Sequence, residues 1–600
     1  MLLAGRVCAQ EPPIAVQPPP LNRPLSAPPE PSDAPQAPEP ILVTPVDPPI
    51  GFVGPSGIAP SETQQNSRFA PVEDRWRIGF PEWDRYGLGH PPVDDYPYQP
   101  GRWWDPFNQN VLKGDYPLIG QHTFFELTAT SFTLLNPREV PTQTTPFEST
   151  ARPDSLDFFG RPQQLVAAEY LSLSFDLFHG DAAFKPVDWR IKLTPVFNVN
   201  TLALNELANV NPDVRKGTSR NRTFFALEEW FVEYKLFDYG PNYDFVSIRA
   251  GAQPFASDFR GFIFADINRA VRIFGTSESN RNQFNLAFFA QLEKDTNSAL
   301  NTFQDRHQRL AIANFYRQDF LFPGYTAQVN CVYNRDARSI KFDTNGFLVR
   351  PDADGVFQPH QVDVVYLGVT GDGHIGPYNI SNAFYWAIGH DSLNPIANQP
   401  QNINAQFAAL ELSYDRDWVR FRVSCLYGSG DGDPNNGHAC GFDAVLDNPQ
   451  FAGGGFSYWQ SQMIPLFSTN LKNRGSFFPD LRASKIQGQA NFVNPGIIVA
   501  NVGIDFDVTP KLKLINNFNL LWFDKTASLE TLTFQGDIDR AIGADLSAGL
   551  EYRPLLSNNV IVRLGIAALL PGKGFRDVYD PFNGTIHQLL AGLGELTLKY

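Results

Sequence analysis

The stretch from residue 428 reads GSGDGDPNNGHACGFD, in which Asp431, Asp433 and Asn435 occupy alternate positions. Oxygen-bearing side chains at that spacing can ring a calcium ion, as in an EF-hand loop. The glycine falls one place late for such a loop and no glutamate closes it, so a hydrated turn competes with the cation site. His438 and Cys440 are too few for a zinc ligand set. The sequence holds no GxSxG elbow, no HExxH, no Walker loop and no CxxCH haem site. The chain therefore reads as a non-enzyme without a cofactor, and a barrel hydrolase with no short motif is the enzymatic alternative.

A second group of charges has a different character. Arg190, Lys192, Arg249, Arg272, Arg420, Arg422 and Arg563 stand against Glu229, Glu233, Asp505, Asp507 and Asp545, each at every second position of an otherwise apolar run. In 189–199, Trp189, Ile191, Leu193, Pro195, Phe197 and Val199 share one face, with Arg190, Lys192, Thr194, Asn198 and Asn200 on the other. The same alternation recurs in 418–427, in 542–553 (apolar face Ile542 to Tyr552) and in 560–570. Period two puts one face in oil and the other in water. The charges then line a wet wall, either as cross-strand ion pairs or as a track that selects permeants.

Some eighteen such segments can be drawn, centred near 127, 171, 194, 231, 249, 271, 288, 312, 330, 366, 385, 409, 423, 502, 517, 547, 565 and 594. Those near 271, 312 and 366 have the weakest alternation. A tilted strand needs about 9–11 residues to cross a bilayer, longer than the usual soluble strand. The connections sort by parity. Short turns fall at Pro241-Asn242, Pro323-Gly324, Asp415–Asp417, Thr509–Lys511 and Leu555–Asn558, and long polar loops at 136–161, 202–221, 335–359, 391–402, 428–486, 524–540 and 571–586. Such sorting marks a membrane barrel, and a sandwich gives no reason for it. Only Glu169 and Glu228 sit awkwardly on the apolar register, both at the proposed extracellular ends. Within 428–486, Phe451, Phe456, Tyr458 and Trp459 are apolar for a free loop, so they should fold inward as a constriction or pack over the barrel mouth.

The balance of 48 basic against 63 acidic residues, net -15, argues against nucleic acid as a partner. Seventeen of the 50 prolines fall in 11–60 and eight in 61–119. Residues 1–9 read as the remnant of a signal peptide cut after Ala9, and 10–73 as an extended, disordered proline-rich linker. Residues 74–118 carry Trp76, Trp83, Trp103, Trp104 and Phe107, too many large apolar groups for a free linker, and read as a segment that docks on or plugs the barrel. The barrel itself takes 119–600. No apolar run is long enough for a membrane helix.

The last strand alternates through Leu596 and Leu598 to Tyr600. It resembles the terminal strand read by the outer-membrane barrel assembly machinery. The eighteen segments, GSGDGDP after RFRVS, FNLLWFD, and VRLGIAALLPGKGFRDVYD near the end resemble the alginate-export type of outer-membrane porin. That resemblance spans about 120–600 and implies diffusion of a solute or anionic polysaccharide across the outer membrane. The reading is all-β: a transmembrane antiparallel barrel of about eighteen strands with a periplasmic arm, acting as a passive channel in the bilayer. A scaffold whose arm binds a periplasmic or cell-wall partner is the alternative.

Overall fold

The computed structural model describes residues 110–600 except 116, 121, 146, 181–185, 239, 241–243, 584 and 585. Eighteen long strands make one closed antiparallel sheet. They are β1 (Thr123–Glu139), β2 (Gln163–His179), β3 (Trp189–Leu204), β4 (Ser219–Asp238), β5 (Phe245–Ala256) and β6 (Ala265–Ser277). There follow β7 (Asn282–Lys294), β8 (Asn301–Arg317), β9 (Tyr325–Asp336), β10 (Val362–Ile375), β11 (Tyr378–Asn394) and β12 (Gln399–Arg416). The last third is β13 (Val419–Gly428), β14 (Ile497–Thr509), β15 (Leu512–Trp522), β16 (Ala541–Tyr552), β17 (Val560–Pro571) and β18 (Leu589–Lys599). Each pairs with its sequence neighbours, and β18 closes on β1 from Thr130↔Lys599 to Arg138↔Ala591. Closure satisfies the backbone of every strand without an edge, which is what allows a sheet to stand in hydrocarbon. Every predicted segment centre falls inside one of these strands.

The outward face is apolar. Leu171, Leu173, Phe197, Leu286, Val329, Leu367, Phe384, Val423, Val502 and Ile566 are all exposed there, as a lipid-facing wall requires. Tyr234, Tyr378, Tyr414 and Trp418 form an aromatic girdle towards the short-turn ends of their strands. Connections alternate as expected, with links such as 376–377, 417–418 and 510–511 on one side and 140–162, 337–361, 429–496, 523–540 and 572–588 on the other. The Pro241-Asn242 turn lies outside the described residues.

Three expectations change. Residues 391–402 are not a long loop, because β11 and β12 extend through them and leave only 395–398. Ile542 is buried on the inward face; the positive-φ Gly543 begins the regular outward register at Ala544. Glu228 is drawn inward by a bulge, since Thr194 pairs with Glu229 and Pro195 with Leu227. There its Oε2 accepts from Asn301 N at 2.8 Å. Glu169 does face outward, seven residues into β2, and accepts from Ser131 Oγ at 2.7 Å and Thr133 Oγ1 at 2.5 Å. Those hydroxyls replace part of the water that a carboxylate loses at a lipid-facing wall.

Leu112, Lys113 and Ile119 lie beside β1. Leu127 N donates to Leu112 O at 2.7 Å, Lys113 bridges to Glu126, and Lys113 Nζ lies 3.6 Å from the centre of the Tyr600 ring. Tyr600 N donates to Ala129 O at 2.8 Å. Of the 74–118 segment, only residues 110–115, 117 and 118 are described. Trp76, Trp83, Trp103, Trp104 and Phe107 lie outside the described residues, as does everything assigned to 1–73.

Candidate functional site: the barrel lumen

The inward face divides into two zones along the strands. Towards the short-turn ends it is charged and amide-rich: Asp176, Arg190, Lys192, Glu229, Glu233, Arg249, Arg272, Glu411, Arg422, Asp505, Glu551, Arg563 and Glu595. Towards the long-loop ends it is apolar, with Ala287, Phe289, Val364, Tyr366, Tyr385, Ala387, Phe407, Leu426, Val499 and Leu569 all buried. These strands carry hydrocarbon on both faces at that level because their inner side packs on protein rather than water.

The charged zone is a chain of ion pairs. Lys192 Nζ lies 2.8 Å from Glu229, Arg249 Nη2 2.6 Å from Glu233, Arg190 Nε 3.3 Å from Asp176, and Arg422 Nη1 3.4 Å from Asp505. Arg563 meets Glu551 at 2.6 Å and Glu595 at 3.8 Å. Arg420 is directly opposite Asp505 on one neighbouring strand and Asp415 on the other, and its short contact is to Asp415. Arg190 is likewise opposite Glu233 and pairs with Asp176 instead. Arg272 donates to Asn285 and lies 4.3 Å from the Phe274 ring centre. The side chains of Arg190, Lys192, Arg420 and Arg563 keep between 23% and 33% of their surface accessible. Asp507 is on the same wall near the turn to β15, beside Lys513 and Arg420.

The apolar zone is filled by connections that turn inward. The β5–β6 link, 257–264, crosses to the wall of β8 to β12. Ser257 O accepts from Asn314, Gln328 and Asn330, and Tyr385 OH donates to Asp258 at 2.9 Å. Asp258 Oδ1 also accepts from the backbone of Arg260, Gly261 and Phe262, so one carboxylate shapes the loop. Arg260 reaches Ser381 at 2.9 Å, Gln450 O at 3.1 Å and Glu411 at 3.3 Å. Phe262 packs on Phe407 and Phe451, with ring centres 4.9 Å and 5.5 Å away.

The 429–496 connection supplies most of the filling, with Phe442, Phe451, Tyr458, Trp459, Phe477, Phe478 and Phe492 buried in it. A short helix, Tyr458–Ser461, is seated on Asp545 of β16. That carboxylate accepts from Tyr458 N at 3.1 Å, Trp459 N at 3.2 Å, Asn519 Nδ2 at 3.3 Å and Ser457 Oγ. Tyr458 OH donates to Glu139 O of β1 at 2.5 Å. The Phe456 ring rests on bare backbone, since a Cβ on Gly549 or Gly565 would stand 2.5 Å from it. Buried Arg482 meets Asp443 at 2.6 Å, and Lys485 meets Asp447 at 2.8 Å. At the rim, Arg306 holds Asp336 at 2.7 Å and donates to Gln487 O and Gly488 O, while Arg350 holds Glu293 at 2.6 Å and donates to Gln487 O.

Two loop carboxyls clasp this filling to 337–361. Ala483 N donates to Asp352 at 2.8 Å, and Ser468 Oγ to Asp354 at 2.7 Å. Burial pushes Asp352 up to about 7 against the Ala483 hydrogen bond, and raises Asp354 as well. Burial pulls His360 down, but its 2.6 Å contact with Asp391 and the nearby Asp352 and Asp336 charges outweigh this, so its net shift is upward. A carboxyl free in water titrates near about 3.9, so from there to about 7 the seated Asp352 holds a proton that the released loop gives up. Its stabilising effect is complete in acid and lost as pH rises through about 7. His360 acts in the same sense, since a raised imidazole stabilises below its free value and loses that effect as pH climbs through the raised one. Amide exchange across 466–484, corrected for the intrinsic rate, should therefore be slower at about pH 5.5 than at about pH 7.5. Equal or faster exchange in acid would contradict the clasp.

Asp545 thus lies beneath the filling rather than beside open lumen. Asp431, Asp433 and Asn435 are strung along successive turns: Asp431 Oδ1 accepts from Asp433 N at 2.9 Å and Asp433 Oδ1 from Asn435 N at 3.0 Å. Burial pushes Asp431 up to about 6. Oxygens committed to turns are poor cation ligands, and among the described residues no group of three or more His, Cys, Asp or Glu could hold a metal. Sequence reading missed Asp258, Arg260 and the whole inward 257–264 link. The signal available was an aspartate followed by glycine three residues later, amid four phenylalanines.

No protein-family model and no curated protein matches the chain. Among solved structures, Pseudomonas aeruginosa OccK5 (OpdH) is similar at a TM-score of 0.41 and 9% identity, over 79% of this chain and 97% of that one. Pseudomonas aeruginosa OpdK with vanillate is similar at 0.41 and 12%, over 79% and 98%. Acinetobacter baumannii OccAB1 is similar at 0.41 and 9%, over 79% and 96%. The barrel assignment stands on the strand register described above.

Proposed function

We propose that the protein is an outer-membrane channel for small polar or anionic solutes. The observation that carries this reading is the ladder of partly accessible ion pairs on the inner wall, from Arg190 and Lys192 round to Arg420 and Arg563. A wall that only had to be packed would carry apolar groups there, as it does one zone higher. The long connections are extracellular in this reading, the arm leaves the short-turn side into the periplasm, and Leu596, Leu598 and Tyr600 serve the assembly machinery. A polysaccharide permeant of the alginate-export type is the finer form. It draws on the sequence motifs, but the carboxylates that pair with the arginines favour a small solute.

Purified protein in a planar bilayer is expected to give discrete conductance steps. A silent bilayer, with a folded barrel shown by heat-modifiable mobility, would refute the channel. Glu551 holds two arginines, Arg553 and Arg563, at 2.6 Å each. Glu551→Gln is expected to raise the anion-to-cation permeability ratio by about twofold, because it leaves both cations facing the permeant. An unmoved reversal potential would place that pair off the path.

A further inference from the structure

The outward wall of β7 to β11 departs from the plain apolar belt. Its registered rows run Leu286, Ala313, Cys331, Leu367, Trp386, then Phe288, Ala311, Tyr333, Val365, Ile388. The small residues Ala313 and Cys331 lie between large ones, and with Phe284, Phe315 and Phe384 they leave an outward groove of about 670 Å³. The next row towards the long connections is Ala290, Arg309, Arg335, Asp363, His390. Groove and charged row are four residues apart, about 13 Å along a strand.

Arg309 and Arg335 are directly opposite one another on adjacent strands. Like charges so placed repel unless an anion lies between them. The neighbouring carboxylates do not fill that role for Arg335. Asp305 is engaged by Arg309 at 3.0 Å and Arg269 at 2.7 Å. Asp363 accepts from Tyr333 OH at 2.9 Å and from Gln361, and its contact with Arg335 is 3.9 Å, beyond hydrogen-bonding range. Arg335 keeps 56% of its side-chain surface accessible. Three arginines against two aspartates leave a local charge of +1.

We infer that this face binds one phosphorylated lipid of the extracellular leaflet, its phosphate between Arg309 and Arg335 and an acyl chain in the Ala313–Cys331 groove. The apolar depression and the excess positive charge at Arg335 point to the two halves of one amphiphile, and their separation is within the reach of an acyl chain. Bidentate guanidinium–phosphate geometry suits Arg335, while Arg309, held on Asp305, adds a second positive charge beside it. The inference needs a membrane-spanning barrel and does not depend on whether the lumen conducts.

The test is native mass spectrometry of the full chain in non-ionic detergent, with diphosphoryl lipid A or phosphatidylcholine added at equal concentration. Wild type is expected to retain lipid A about tenfold more than phosphatidylcholine. Arg309→Gln with Arg335→Gln should remove that preference. Ala313→Phe, which fills the groove without touching charge, should reduce retention as well. Arg317→Gln, at the other end of β8, should leave it unchanged, and heat-modifiable mobility checks that every variant is folded. Retention insensitive to the double arginine variant, equal retention of phosphatidylcholine, or release of lipid A by millimolar inorganic phosphate would each overturn the site.

Discussion

Replacing residues 429–496 by an Asn-Gly turn is expected to enlarge the unit conductance about fivefold while the barrel still folds, because the filling rather than the wall sets the resistance. The replacement is geometrically allowed, since Gly428 and Ile497 are already cross-strand partners. Asn-Gly is also the turn that closes such a hairpin at least strain. The cost falls on the inner wall, where Tyr366, Tyr385 and Phe407 lose their cover at about 1.5–3 kcal/mol each. The closed hydrogen-bond ladder is untouched, so loss of thermal stability without loss of the barrel is the expected companion. Bilayer recordings with a melting curve check both. An unchanged conductance in a folded barrel would show that the permeant path avoids this connection.

Asp545→Ala should unseat the filling from within. Two backbone N–H groups, the Ser457 hydroxyl and the Asn519 amide converge on that carboxylate. Removing it strands buried donors, at about 3–5 kcal/mol in total. The measurable outcome is loss of amide protection over 457–462 together with flickering of the open channel. Asp545→Asn keeps one acceptor oxygen and should lie between the two. Protection unchanged by Asp545→Ala would mean that the Phe456 packing on Gly549 and Gly565 holds the helix alone.

The strands were legible because most of them face lipid on one side and water on the other. The weak segments near 271, 312 and 366 show the limit. Ala270, Ile312, Val364 and Tyr366 point inward and are buried against the inturned connections. Apolar residues on both faces erase the period-two signal, and no local rule announces that a distant loop will cover them. The aromatics of 429–496 betrayed an inward fold by being too apolar for water. The 257–264 link did not, being short enough to pass for the end of a strand. Ion-pair partners were readable only by neighbourhood, because Arg190 chooses a diagonal carboxylate on β2 over Glu233 opposite it, and Arg420, opposite a carboxylate on each side, chooses Asp415 over Asp505. Side-chain length and rotamer decide that, and neither is written in the spacing.

The seam between β1 and β18 has a kinetic meaning. It joins the first strand of the barrel to the last, the longest loop closure in the molecule, which places it among the late events of folding. Lys113 on Tyr600 and Leu112 on Leu127 then lie across the end of that seam like a latch. A contact added after the slow step does little for the rate of closing but slows reopening. Residues 112 and 113 thereby act as a brake on unfolding, set at the seam that joins the two ends of the sheet.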